Sequence, residues 1–109
     1  MLKKECRLNL GKKLKFTNSL NSIFFTLKIN KNNLLFNRYG FVISKRIDKR
    51  AVVRNRIRRM FQKCLKDNLG EIKEGYDMLF YPKKEVLSLS QNEICLNIKE
   101  FFKKTGYLK

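Results

Sequence analysis

"RAVVRNRIRRMFQKCL", Arg50 to Leu65, carries five arginines in its first ten positions. Placed on a helix at about 100° per residue, Val53, Ile57, Met60, Phe61 and Cys64 fall within one arc of about 100°. That arc is a stripe able to pack on a sheet. Asn55 falls opposite it, flanked by Arg58 and Arg59, with Lys63 and Lys66 further along the same side. Arg54 and Arg56 lie at the two borders. The spacing therefore predicts one helix with a core side and a cationic side. Val52 and Leu65 also read as apolar core candidates.

A solvated helix usually mixes signs and gains from opposite charges four residues apart. Here Lys45 to Lys66 holds ten basic residues and a single acid, Asp48. Arg54/Arg58 and Arg59/Lys63 are like-charge pairs that repel. Arginine presents a planar fork that holds phosphate through two hydrogen bonds and stacks on bases. The whole chain repeats the bias: 109 residues, 26 Lys and Arg, 9 Asp and Glu, net charge +17. A polyanion is the natural partner, nucleic acid before an anionic membrane surface.

The same composition excludes other classes. With 43% hydrophobic residues the chain should fold, and its length suits one domain over 1–109. No apolar run exceeds about four residues, against the roughly 20 that span a bilayer, and the N-terminus has no signal-like stretch. The chain reads as cytoplasmic. It has no histidine, which removes His-based acid–base catalysis and the usual zinc sites. The acids are scattered, with no pair suggesting a two-metal site. Cys6, Cys64 and Cys95 are an odd, widely separated set without a CxxC, and read as small hydrophobes.

Around the central helix the pattern alternates between strand and helix. "SIFFTLKI" (Ser22 to Ile29) puts Ile23, Phe25, Leu27 and Ile29 on one face of a strand. "NKNN" (Asn30 to Asn33) is a turn and "RYGFVISK" (Arg38 to Lys45) a second strand. Asp48 is placed to cap a helix from about Lys49 to Asn68, and Gly70 to end it. "YDMLFYP" (Tyr76 to Pro82) is a third strand. "SQNE" (Ser90 to Glu93) is a capping box opening a helix with Ile94, Ile98, Phe101 and Phe102 on one face. The order is β-β-α-β-α with a short extra strand near Phe16, an α+β single-domain sandwich of sheet and packed helices. Phe24, Phe25, Tyr39 and Phe41 lie on strands adjoining the cationic helix. An exposed sheet aromatic there would suit unpaired RNA bases.

"GFVISKRIDKRAVVRNRIRRMF" (Gly40 to Phe61) resembles the signature of the bacterial ribonuclease P protein subunit. That signature is a strand ending in Ser-Lys-Lys/Arg, a short turn, then Ala-Val-x-Arg-Asn-Arg-x-Lys/Arg-Arg. Ser44, Lys45, Arg46, Ala51, Val52, Arg54, Asn55, Arg56, Arg58 and Arg59 carry it. The resemblance runs from about Ile23 to the C-terminus. The N-terminal Phe-rich helix of the family has no counterpart between Arg7 and Asn21, and Gln62 replaces a residue that is often basic.

The resemblance implies a ribosomal protein S5 domain 2-like fold with a left-handed βαβ crossover. It implies a subunit of a ribonucleoprotein endoribonuclease that removes the 5′ leader of precursor tRNA. The RNA subunit would be the catalyst, with Mg2+ held mainly by RNA and none bound tightly by the protein. RNA contacts would fall to Lys45, Arg46, Arg54, Asn55, Arg56, Arg58, Arg59, Lys63 and Lys66. A leader cleft would use Phe25, Phe24, Ser44 and Phe16. The partners would be that RNA and precursor tRNA, with no membrane, no DNA and no obligate protein partner. A ribosomal or other structured-RNA assembly protein is the alternative, followed by a groove-reading DNA binder and a protein-only nuclease.

Overall fold

Alternation in the segment after Ser22 builds the centre of the fold. The computed structural model describes Arg7, Leu8, Phe16, residues 18–68 and residues 70–109. Its elements are β1 (Asn18–Asn21), β2 (Phe25–Lys31), β3 (Arg38–Phe41), α1 (Ala51–Asp67), β4 (Tyr76–Pro82), a 3-10 turn (Lys84–Ser88) and α2 (Gln91–Thr105). Phe25, Leu27 and Ile29 are at most 1% exposed, while Thr26, Lys28 and Asn30 between them are half-buried. β1 supplies the short extra strand. β2 starts three residues later than the periodicity suggests. Ser22 Oγ accepts from the Phe24 and Phe25 N–H groups, making a turn that leaves Ile23 73% exposed.

The sheet order is β1-β2-β4-β3. β2 is antiparallel to β1 and β4, whereas β3 and β4 run parallel from Arg38↔Asp77 to Phe41↔Phe80. A parallel pair needs a long crossover, and α1 provides it. The expected α+β architecture is therefore present. Two polar groups fix the start of that pair. Arg38 grips Asp77 with two hydrogen bonds of 2.7 Å, and Asn32 adds a third at 3.0 Å. Buried Asn37 donates to the Tyr39 hydroxyl and the Lys73 carbonyl and accepts from the Tyr76 N–H, so none of its amide is wasted.

α1 packs on this frame through Val53, Ile57, Phe61, Cys64 and Leu65, with Met60 half-buried. The stripe is the one its periodicity predicts, except that Val52 is 80% exposed. Phe61 lies edge-on to Phe25 and stacks near Phe41 and Phe80, at centroid distances of 6.0, 6.1 and 5.8 Å. Phe101 of α2 meets Phe25 at 4.8 Å. Both helices thus meet the sheet through one cluster of rings.

The helix ends differ from one another. At α2, Ser90 and Glu93 form the predicted reciprocal box. Gly106 ends it at φ 87°, a left-handed position that favours glycine. At α1 the expected Asp48 cap is corrected. The helix begins at Ala51, and Asp48 folds its carboxylate onto Arg50 instead. Gly70 does not end α1 either. Asn68 does, its side chain donating to the Cys64 carbonyl at 2.8 Å.

Cys64 and Cys95 are joined as a disulfide between α1 and α2, their Cα atoms 5.0 Å apart. This corrects their reading as separate small hydrophobes. Helix packing brings together residues 31 positions apart, which no local motif reveals. In the chain-entropy model a loop of that size contributes roughly 3–4 kcal/mol.

The two faces of α1 should separate in denaturant titration. Phe61→Ala or Ile57→Ala should lower stability by about 2–5 kcal/mol. Arg58→Ala combined with Arg59→Ala should change it by no more than about 1 kcal/mol in either direction. Equal losses from both classes would reverse the assigned orientation of the helix.

Candidate nucleic-acid interface

With Phe61 and Ile57 held in the core, the opposite side of α1 must face outward. Asn55, Arg56, Arg59, Lys63 and Lys66 are exposed, and Arg58 is half-buried. Asn55 Oδ1 accepts from Arg58 Nη1 at 2.8 Å, which restrains the guanidinium beside it. Arg56, Arg59, Lys63 and Lys66 join no ion pair among the described residues. Together with Met60, Gln62 and the single acid Asp67 they line a groove of about 620 Å³ whose far wall is Gln91 of α2. Such a groove offers fixed positive charge with free donors, the requirement for holding a phosphate backbone.

The loop before α1 extends the same surface. Ser44 Oγ accepts from the Arg46 N–H at 3.1 Å and the Ser44 carbonyl from the Ile47 N–H at 3.0 Å, closing a tight turn. Ile47 anchors that turn in the core and leaves Lys45 and Arg46 exposed. Arg54 also makes internal contacts. Its guanidinium donates to the carbonyls of Asp48 and Lys49, tying the loop to the first turn of the helix. Asp48 accepts from the Arg50 side chain and N–H, and these bonds lower its carboxyl to a pKa of about 2.

The leader-cleft residues divide, with Phe24 and Ser44 at one end of the sheet and Phe25 in the core. Phe25 is corrected: it is 1% exposed, enclosed by Phe61, Phe80 and Phe101, and has no free ring face. The alternation of β2 pointed to this, and the resemblance pointed the other way. Phe24 is half-buried and lines a groove of about 760 Å³ with Ile23, Lys83, Asn97 and Lys104. Lys83 and Lys104 were not legible as site residues, although Lys83 follows Pro82 directly. Lys83 Nζ donates to the Ser22 carbonyl at 2.7 Å and so fixes the turn that presents Phe24. Its N–H bonds the Phe24 carbonyl, so Phe24 sits at the end of the sheet where Ser44 leaves β3. Phe16 is half-buried.

Three acids are engaged elsewhere, while Asp67 lines the groove itself. Asp77 holds Arg38, raising the guanidinium pKa through their hydrogen bonds, and Asp48 holds Arg50. Glu93 closes its capping box, and the Ser90 N–H holds its carboxyl below the usual range. Among the described residues no group of three acidic, cysteine or histidine side chains could hold a metal ion. No helix among them is long and apolar enough to cross a membrane.

Comparison with known proteins points one way. The family model described as Ribonuclease P matches residues 9–106. A ribonuclease P protein component from Fusobacterium nucleatum is 39% identical over 77 residues, 71% of this chain and 63% of the relative. The chain thus spans just under two thirds of that relative's length. One from Clostridium kluyveri is 33% identical over 96 residues, 86% of this chain and 81% of the relative. The RNase P protein from Thermotoga maritima superposes with a TM-score of 0.74 at 22% identity, over 80% of this chain and 82% of that one. A Staphylococcus aureus RNase P protein gives 0.75 at 19%, covering 84% of each. At these identities the structural likeness establishes the shared fold.

The loop geometry can be checked by titration. The Asp48 carboxyl should titrate near 2 in a side-chain carboxyl NMR experiment, and Arg50→Ala should return it towards 3.8. Because the folded-state value is depressed, the contact contributes fully above the ordinary carboxylate pKa and is lost as pH falls through about 2. An unshifted Asp48 in the parent chain would remove Arg50 as its partner.

Proposed function

The chain belongs to the ribonuclease P protein family, and from that premise we propose that it is the protein subunit of a ribonuclease P ribonucleoprotein, acting in the cytoplasm on precursor tRNA. The observation that carries this reading is α1. One side is committed to the ring cluster, while Arg56, Arg59, Lys63 and Lys66 on the other have no acidic partner among the described residues. In this reading Lys45, Arg46, Asn55, Arg56, Arg58, Arg59, Lys63 and Lys66 contact the phosphates of the RNA subunit. Arg54 holds the loop that presents Lys45 and Arg46. The single-stranded 5′ leader runs along the end of the sheet, from Ser44 towards Phe24.

The protein's part in cleavage is positioning. Cationic groups lower the repulsion between two polyanionic RNAs, and leader contacts away from the cut add binding energy that orients the substrate. The RNA carries out the hydrolysis. Magnesium, in this proposal, is held mainly by RNA.

RNA binding should depend steeply on salt. If about 6–8 phosphates are neutralised, affinity for the RNA subunit should fall by about three to four decades between roughly 50 and 200 mM salt. A flat titration would rule out a phosphate-held interface. Reconstitution with a candidate RNA subunit tests the rest: leader removal from precursor tRNA by the complex, and none by the chain alone, is the expected result.

The leader assignment rests on Phe24. Phe24→Ala should weaken precursor tRNA binding by about 1–3 kcal/mol if a base stacks on that ring. Binding of mature tRNA, which lacks a leader, should stay as it was. Phe25→Ala should lower the melting temperature and leave the precursor-to-mature affinity ratio unchanged. The opposite pattern would return the leader to Phe25.

A further inference from the structure

Behind the cationic face of α1 lies chemistry that RNA binding does not use. Cys64 is fully buried, Cys95 is half-buried on α2, and the two are bonded. The Gln91 side-chain amide sits against both sulfurs. Its Nε2 lies 3.1 Å from Cys64 Sγ and 3.5 Å from Cys95 Sγ, and donates to the Met60 carbonyl at 2.9 Å. The amide has two protons, so one can serve Met60 while the other faces the sulfur pair. The Gln91 backbone carbonyl is 3.9 Å from Cys64 Sγ, in reach of a thiol proton. Polar partners therefore exist for the disulfide, for a thiolate on either sulfur and for a Cys64 thiol. Lys63, Lys66 and Asp67 line the groove that Gln91 closes.

We propose that Cys64 and Cys95 form a reversible redox-modification site whose co-reactant is a low-molecular-weight disulfide. In oxidation the Cys95 thiolate, the more accessible of the two, attacks one sulfur of the small disulfide. A mixed disulfide forms on Cys95 and one small thiolate leaves. The Cys64 thiolate then attacks the Cys95 sulfur, forming the intramolecular bond and expelling the second small thiolate. The protein gives up two electrons and two protons, and the small disulfide becomes two thiols. Reduction runs the same steps backwards: a small thiolate attacks Cys95 and Cys64 departs as a thiolate, stabilised by the Gln91 N–H. A leaving sulfur so stabilised departs faster. The bond ties the last turns of α1 to the first turns of α2, the two walls of the cationic groove. The ring contacts of Phe25 with Phe61 and Phe101 hold both helices in place when it opens.

The test uses the full chain with Cys6→Ser, leaving only the two cysteines in question. The protein is equilibrated with mixtures of reduced and oxidised glutathione, quenched in acid, alkylated and weighed by mass spectrometry. Two species should interconvert reversibly, the dithiol and the intramolecular disulfide, with the disulfide form melting higher by roughly 15 °C. Adding Cys64→Ala should trap glutathione on Cys95, and this readout does not depend on how stable that variant is. Adding Cys95→Ser should abolish the difference in melting between oxidised and reduced samples. Free thiols at every mixture, a glutathione adduct that persists in the two-cysteine protein, covalent dimers or equal melting temperatures would each overturn the proposal.

Discussion

The ring of Phe61 sets what the rest of the molecule can do. It packs among Phe25, Phe41 and Phe80, so three strands converge on one side chain of α1. That anchor fixes the rotation of the helix about its own axis. With Phe61 inward, Ile57 and Val53 follow at one and two turns, and Asn55, Arg59 and Lys63 are turned away. The cationic surface is thus defined by an apolar constraint on the reverse of the same helix.

Charge would otherwise work against this chain. A net +17 on 109 residues leaves few internal partners for the cations. The four ion pairs among the described residues are all away from the groove on α1. Exposed pairs of this kind contribute little, whereas the Arg38–Asp77 pair is half-buried, bidentate and placed at the start of the parallel strands. The protein therefore spends its best ion pair on topology. The surplus of positive charge is left where a polyanion can meet it.

How far the sequence could be read depends on how local each signal is. β4, the capping box at Ser90 and Glu93, and the stripe Val53–Ile57–Phe61–Cys64 were legible, because each is a periodicity or motif confined to a few residues. Ile23 continued the alternation of β2 in sequence, yet Ser22 closes a turn that breaks it in space. Asp48 looked like a cap by position, but it has a stronger partner in Arg50. The cationic site was legible because it lies on one helix. The groove at Phe24 was not, since Lys83 and Lys104 reach it from separate elements. The Cys64–Cys95 pairing needed the contact between α1 and α2, which no spacing encodes. Most of residues 1–17 lie outside the described structure, so the readings of the N-terminal motif and of Cys6 stay sequence readings.

The parallel pairing of β3 with β4 also governs how the molecule assembles in time. Its first rung joins Arg38 to Asp77, 39 positions apart, and closing such a loop is an entropic toll that local contacts do not share. α1 lies inside that loop. Coiling its 17 residues reduces their span to about 25 Å, which draws the loop ends together. The like charges along α1 oppose that coiling in the unfolded chain. Screening of those charges, by counterions or by a polyanion, would lower that opposition.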